Sequence, residues 1–215
     1  MKKSEGHNMT LPGFTTRDFD VFRIEGLEER MNAIQTNIQP KFEEIGQALA
    51  SELSMLVGNE MHLHIARHAR RKVNPPNDTW LAVAENKRGY KKHPHFQLGL
   101  FDDHLFLWLA LIYELPNKAP IANRFLDHKD QLSDLPDDFV LSPDHMKKDA
   151  YFISDLSEPE LTDYLTRFRD VKKAELLLGR HIKRDDPLLA NGQALTAYAK
   201  ETYEHLLPFY RLAMQ

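Results

Sequence analysis

The chain has 215 residues, 28 Lys and Arg against 32 Asp and Glu, a formal net charge of −4 and no cysteine. That length can bury a core without staples, and the missing cysteine excludes a disulfide framework, a thiolate metal site and a thiol nucleophile. The longest apolar run, Leu105 to Tyr113, is about half the ~20 residues a bilayer span needs, and no apolar stretch follows the first residues as in a signal peptide, so a cytoplasmic protein without a membrane partner is expected.

Residues 1–12 read as a mobile tail and 13–215 as a single α+β domain. Phe14, Phe19 and Phe22 are apolar anchors around a short helical turn that Thr16 or Asp18 could cap. From Leu27 to Leu56 apolar residues step by three or four, one stripe of core-facing helix. Pro40 lacks a donor and clashes with the preceding turn, so two helices, or one kinked helix, should meet near Gln39. Gly58-Asn59 stops the second piece.

The middle third changes period. Met61, Leu63 and Ile65 alternate with His62 and His64, which places the two imidazoles on one side of a strand; His68 follows them unless a bulge intervenes. Asn74 to Asp78 breaks the run. Trp80 to Glu85 is a second strand, Asn86 to Gly89 a turn, and His95 to Phe101 a third strand with His95 and Gln97 on one face. Asp102-Asp103 turns the chain into Leu105–Tyr113, apolar on both faces. Periodicity alone does not separate a central strand from a buried helix there, but the short acidic turn favours a hairpin.

Ile121 to Asp130 then reads as a helix. Phe139 to Leu141 and Tyr151 to Ile153 are short strands. Ser157-Glu158-Pro159-Glu160 opens another helix, Glu175 to Lys183 is a strand, and a terminal helix from Gln193 should bend or end at Pro208. Helices before and after a strand meander argue for α+β, an antiparallel sheet covered by N-terminal and C-terminal helices.

Six of the eleven histidines lie between His62 and His104. Two imidazoles from His62 and His64 with a third from a neighbouring strand, His95, have the ligand types of a zinc or iron site, so a metal-dependent enzyme is one reading. Charge gives another. Between Met61 and His95 eight Lys or Arg face two acids, an excess of +6 that leaves −10 for the rest. Such a segment attracts an anionic small molecule, phosphate or nucleic acid, though cations also keep strand edges from aggregating. If Arg180 and Arg184 at the end of their strand meet this face, an anion pocket of His62, His64, Arg67, His95, Gln97, Arg180 and Arg184 results; the plainer expectation is a charged strand end with Arg184 paired to Asp186. Tyr90, between Arg88 and Lys91, is the best placed aromatic for stacking on a base, and Trp108 should be core. A purely protein-binding module remains a third reading. No phosphate loop or G-x-S-x-G motif is present, and no cofactor is specified.

Phe14 to Met31 (F-T-T-R-D-F-D-V-F-R-I-E-G-L-E-E-R-M), Arg71 to Leu100 (R-K-V-N-P-P-N-D-T-W-L-A-V-A-E-N-K-R-G-Y-K-K-H-P-H-F-Q-L-G-L) and L-G-R-H-I-K-R-D-D-P near the C-terminus resemble the YktB-like family of uncharacterised proteins from Bacillus-type bacteria. The resemblance spans nearly the whole chain. It implies a bacterial, cytosolic, single-domain α+β protein and carries no activity, cofactor or catalytic residue with it.

Overall fold

The structure is a computed structural model that describes residues 10–215. Seven strands form one sheet: β1 (His62–Ile65), β2 (Thr79–Ala84), β3 (His95–Leu100), β4 (His104–Leu111), β5 (Val140–Ser142), β6 (Tyr151–Phe152) and β7 (Leu176–Lys183). The spatial order is β1-β2-β3-β4-β7-β5-β6, and every neighbouring pair is antiparallel. The first four strands are neighbours in space in their chain order; Phe101–Asp103 joins β3 to β4 as a tight hairpin, as antiparallel neighbours allow, while the longer loops 66–78 and 85–94 join the other pairs. The expected α+β meander is observed, and Leu105–Leu111 is a central strand. All eight residues of β4 are buried, because both faces of the sheet are covered there.

The helices are α1 (Thr16–Asp20), α2 (Leu27–Ala33), α3 (Gln39–Val57), α4 (Lys118–Asp127), α5 (Lys129–Ser133), α6 (Glu158–Asp170) and α7 (Gly192–Met214). α3 lies across β1 and β2, α7 across β3, β4 and β7, and α6 against β7. The apolar stripe of α3, Phe42, Ile45, Leu49 and Leu53, is fully buried against this face. Gly46 lets α3 come close to β1, because a Cβ there would sit 2.4 Å from Leu63 Cδ1. Leu63 and Ile65 therefore face the helices, and His62 and His64 face the other way.

Pro40 does not split the helix. A π-helical turn, Ile34–Ile38, carries α2 into α3, and the wider i→i+5 spacing accommodates the proline ring and its missing donor. α7 likewise runs through Pro208. Pro208 and Glu204 are both exposed, so the carbonyl freed by the proline faces water and the helix need not end. Gly58 stops α3 in the left-handed conformation, φ 85°, and Ser157 with Glu160 forms the capping box that opens α6.

The expected tail at 1–12 falls mostly on residues 1–9, outside the described residues. Leu11 and Pro12 abut the start of α7: each carbonyl oxygen lies 2.3 Å from where a Cβ on Gly192 would be. Among the described residues no helix is long and apolar enough to cross a membrane.

Candidate functional site

The second face of the sheet is built differently from the first. Its floor combines small residues, Ala82, Ala84 and Ala110, with His64, His95, Gln97, Trp80 and Trp108, and loops cover it in place of helices. The loop 85–94 crosses over β2. Tyr90 anchors it: the ring packs on Ala82 and Ala84, and its hydroxyl accepts the Trp80 Nε1–H at 3.0 Å. Burial pushes the Tyr90 phenol up to about 12, so it stays neutral. Buried and bonded in this way, Tyr90 is not a free stacking platform for a base.

Two histidines hold the ends of that loop. His64 Nε2 donates to the Asn86 carbonyl at 2.9 Å, and His95 Nδ1 donates to the His93 carbonyl at 2.7 Å. The Gln97 amide then donates to His95 Nε2 at 2.8 Å, which leaves one consistent tautomer. Burial holds His95 down to about 4 and lowers His64 as well, so both imidazoles are neutral hydrogen-bonding props. Asn86 Oδ1 also accepts the N–H groups of Arg88 at 2.8 Å and Gly89 at 3.2 Å. With Tyr90 turned inward and both ends held, Lys87, Arg88, Lys91 and Lys92 are left exposed.

This loop is one wall of an open cleft of about 1200 Å³. The floor is the edge of the sheet, Leu63 to Ile65, with Arg67 beyond it. The opposite wall is the outer stripe of α3, where Gln39, Glu43 and Gln47 step by four. Five Lys or Arg side chains and two acids, Glu43 and Glu114, line the cleft. Lys91 pairs with Glu114 at 3.7 Å. Among the described residues Arg67, Lys87, Arg88 and Lys92 have no carboxylate within ion-pair distance. An open cleft with uncompensated cations presents a positive field to an anion.

The residues expected to form one pocket are separated by the sheet. Arg67 and His64 line the cleft. His95 and Gln97 lie beneath the loop, His95 with no exposed surface and Gln97 with 2%, so neither reaches a ligand in the cleft. His62 shares the face but lies at the margin, 3.9 Å from Glu60. Arg180 is on the opposite, helix-packed face, in register with Leu107. There it stacks on Phe139 and Tyr198 and pairs with Asp138 at 2.7 Å and Glu201 at 3.3 Å. Arg184 ties the end of β7 to α1 through Asp20 at 2.8 Å and the Thr16 carbonyl at 3.0 Å. Its expected partner Asp186 instead caps the following turn through Leu188 N–H.

The metal arrangement of His62, His64 and His95 does not assemble. β2 lies between β1 and β3, which places His62 and His95 about 10 Å apart at the backbone, with Ala84 between them in the same row. The nitrogens of His95 are also already engaged. Among the described residues one other group has cation-like spacing: Asp144, His145 and Glu175, beside a second cleft of about 510 Å³. Glu175 accepts the N–H groups of Tyr113 at 3.1 Å and His145 at 2.8 Å, and the His145 Nδ1–H at 2.7 Å. Burial opposes charge on both members, but each overrides it for the other: the imidazole is raised and the carboxyl lowered. The pair is a satisfied internal salt bridge that ties the 143–149 loop to the start of β7. His145 sits in a loop with no periodic pattern, so it carried no signal in the sequence.

Comparison with known proteins agrees with the resemblance at the level of the family. The family described as "Domain of unknown function (DUF1054)" matches residues 14–210. A UPF0637 protein of Oceanobacillus iheyensis is 60% identical over 202 residues, covering 94% of this chain and 97% of that protein. Another from Shouchella clausii is 60% identical over 207 residues, 96% and 97% of the two chains. One from Listeria monocytogenes serotype 4b is 52% identical over 207 residues, covering 96% of this chain and all of that protein.

Proposed function

The chain belongs to the DUF1054 family, and for this member we propose a binding role: it takes an anionic ligand in the cleft between α3 and the basic loop. The observation that supports the reading is the set of four cations, Arg67, Lys87, Arg88 and Lys92, that face the cleft without carboxylate partners among the described residues. Each is exposed, so the attraction is long-range, screened by salt and able to speed encounter more than it tightens the final complex. His64 and His95 serve the site from behind by fixing the loop. We place this activity in the bacterial cytoplasm, a reading supported by the cysteine-free chain.

The test is a panel of labelled polyanions, namely polyglutamate, polyphosphate and a single-stranded oligonucleotide, followed by fluorescence anisotropy from 20 to 300 mM salt. At least one should bind, weaken steeply with salt, and be lost in the double charge reversal Lys87→Glu/Arg88→Glu. The exposed Lys183→Glu, at the opposite end of the sheet beside His104, should bind as the wild type does. If no polyanion binds, or if both variants weaken binding equally, the cleft is not the site.

A further inference from the structure

The floor of the cleft is a sheet edge, and we propose that the ligand is an extended acidic peptide that pairs with β1 as an eighth strand. The proposal rests on the anion reading above and adds the conformation and chemistry of the ligand.

β1 is outermost in the strand order. Its register on β2 pairs His62 with Ala84 and His64 with Ala82, and the Ala66 N–H continues that register by donating to the Trp80 carbonyl at 2.9 Å. In an antiparallel ladder every second residue directs both its N–H and its C=O at one neighbour. Residues 62 and 64 and the Ala66 N–H are thus spent on β2, while Leu63 and Ile65 aim their backbone groups into the cleft they line. Among the described residues no other backbone group pairs with them. Past Ile65 the chain leaves the ladder: the Gln39 amide donates to the Ala66 carbonyl at 3.3 Å, which ends the free edge on that side.

The two walls dictate the side chains of an added strand. Gln39, Glu43 and Gln47 span about 12 Å along α3, which matches the ~13 Å of a four-residue strand. Side chains of the added strand alternate between this wall and the cationic loop. Those facing Glu43 must be uncharged, and those facing Lys87, Arg88 and Lys92 should be acidic. A peptide in which Glu alternates with Val meets both demands and supplies the backbone ladder of strand addition. A nucleic acid supplies negative charge but no such ladder. A second copy of this chain would bring its own cations against these.

Pairing in the antiparallel sense, as everywhere else in this sheet, makes a further demand. Residues directly opposite each other project side chains to the same face, and Leu63 and Ile65 face the helices. The peptide residues whose N–H groups reach β1 are therefore the uncharged ones. The experiment uses the full chain and a fluorescein-labelled alternating Glu-Val octapeptide, with two N-methylated isomers of identical charge. Methylation at the Val nitrogens should weaken binding at least 10-fold, and methylation at the Glu nitrogens should change it less than 2-fold. The reverse pattern would still show strand addition, but in parallel. Equal affinity of the parent and both isomers overturns strand addition while leaving charge attraction intact. An equally charged oligonucleotide that binds tighter and displaces the peptide also overturns it. Failure of the peptide together with every polyanion defeats the anion reading as well.

Discussion

Replacing His95 by Phe tests whether that imidazole is a structural prop. The side chain has no exposed surface, and the substitution roughly conserves volume. It leaves the His93 carbonyl and the Gln97 amide without a partner. Stranding a buried polar group costs about 1–3 kcal/mol, so two should cost about 2–6 kcal/mol at pH 7.5. Titration adds a second signature. Folded His95 is held at about 4, below the ~6.5 of an unfolded chain. Its neutral form is the stable one when folded, so its full contribution is present above pH ~6.5 and is lost as pH falls toward 4. Between pH 7.5 and 5.0 that loss is about 2 kcal/mol for wild type and absent in the variant. The gap between the two proteins should therefore narrow by about 2 kcal/mol at pH 5.0. Urea unfolding followed by Trp80 and Trp108 fluorescence at both pH values measures it, and other titrating groups cancel in the difference. A gap that does not change with pH would show that His95 is not buried neutral, and the account of the loop would fail.

Three further outcomes follow from other sites. The Asp78 carboxyl is buried, its Oδ2 has no partner, and burial raises it to about 6; a raised carboxyl opposes folding once it ionises, so Asp78→Asn should add about 2–3 kcal/mol at pH 7.5 and close to nothing at pH 4, read from urea midpoints. Arg180→Ala should cost about 2–3 kcal/mol through lost stacking on Phe139 and Tyr198 and lost hydrogen bonds, yet leave polyanion affinity unchanged, because the sheet lies between Arg180 and the cleft; a parallel loss of affinity would place Arg180 in the site. Ser157→Ala removes one half of the capping box on α6 and should lower stability by about 1 kcal/mol in thermal unfolding, with no effect on the cleft.

Much of the fold was legible because period is local. The step of three or four in α3, the alternation in β1 and β3 and the capping signature at Ser157 all report which side of an element meets the core. At Pro40 and Pro208 the sequence predicts a kink or an end, because a proline removes a donor wherever it stands. Whether that ends a helix depends on the room around it, and here a π turn and exposed carbonyls supplied the room. For the site, alternation correctly put His62 and His64 on one face, but it carries no information about which strand lies next to which. The order β1-β2-β3 separates His95 from both, and the parity of β7 sends Arg180 to the helix side while His181 takes the other.

The basic segment, the α+β class and the missing thiol chemistry were set by residue types and spacings alone, since charge, covalent inventory and period need no partner to be read. The roles of the histidines needed the third dimension. An imidazole becomes a ligand, a prop or an acid according to what its two nitrogens meet, and those neighbours, the Asn86 and His93 carbonyls and the Gln97 amide, are chosen by how the chain folds back on itself.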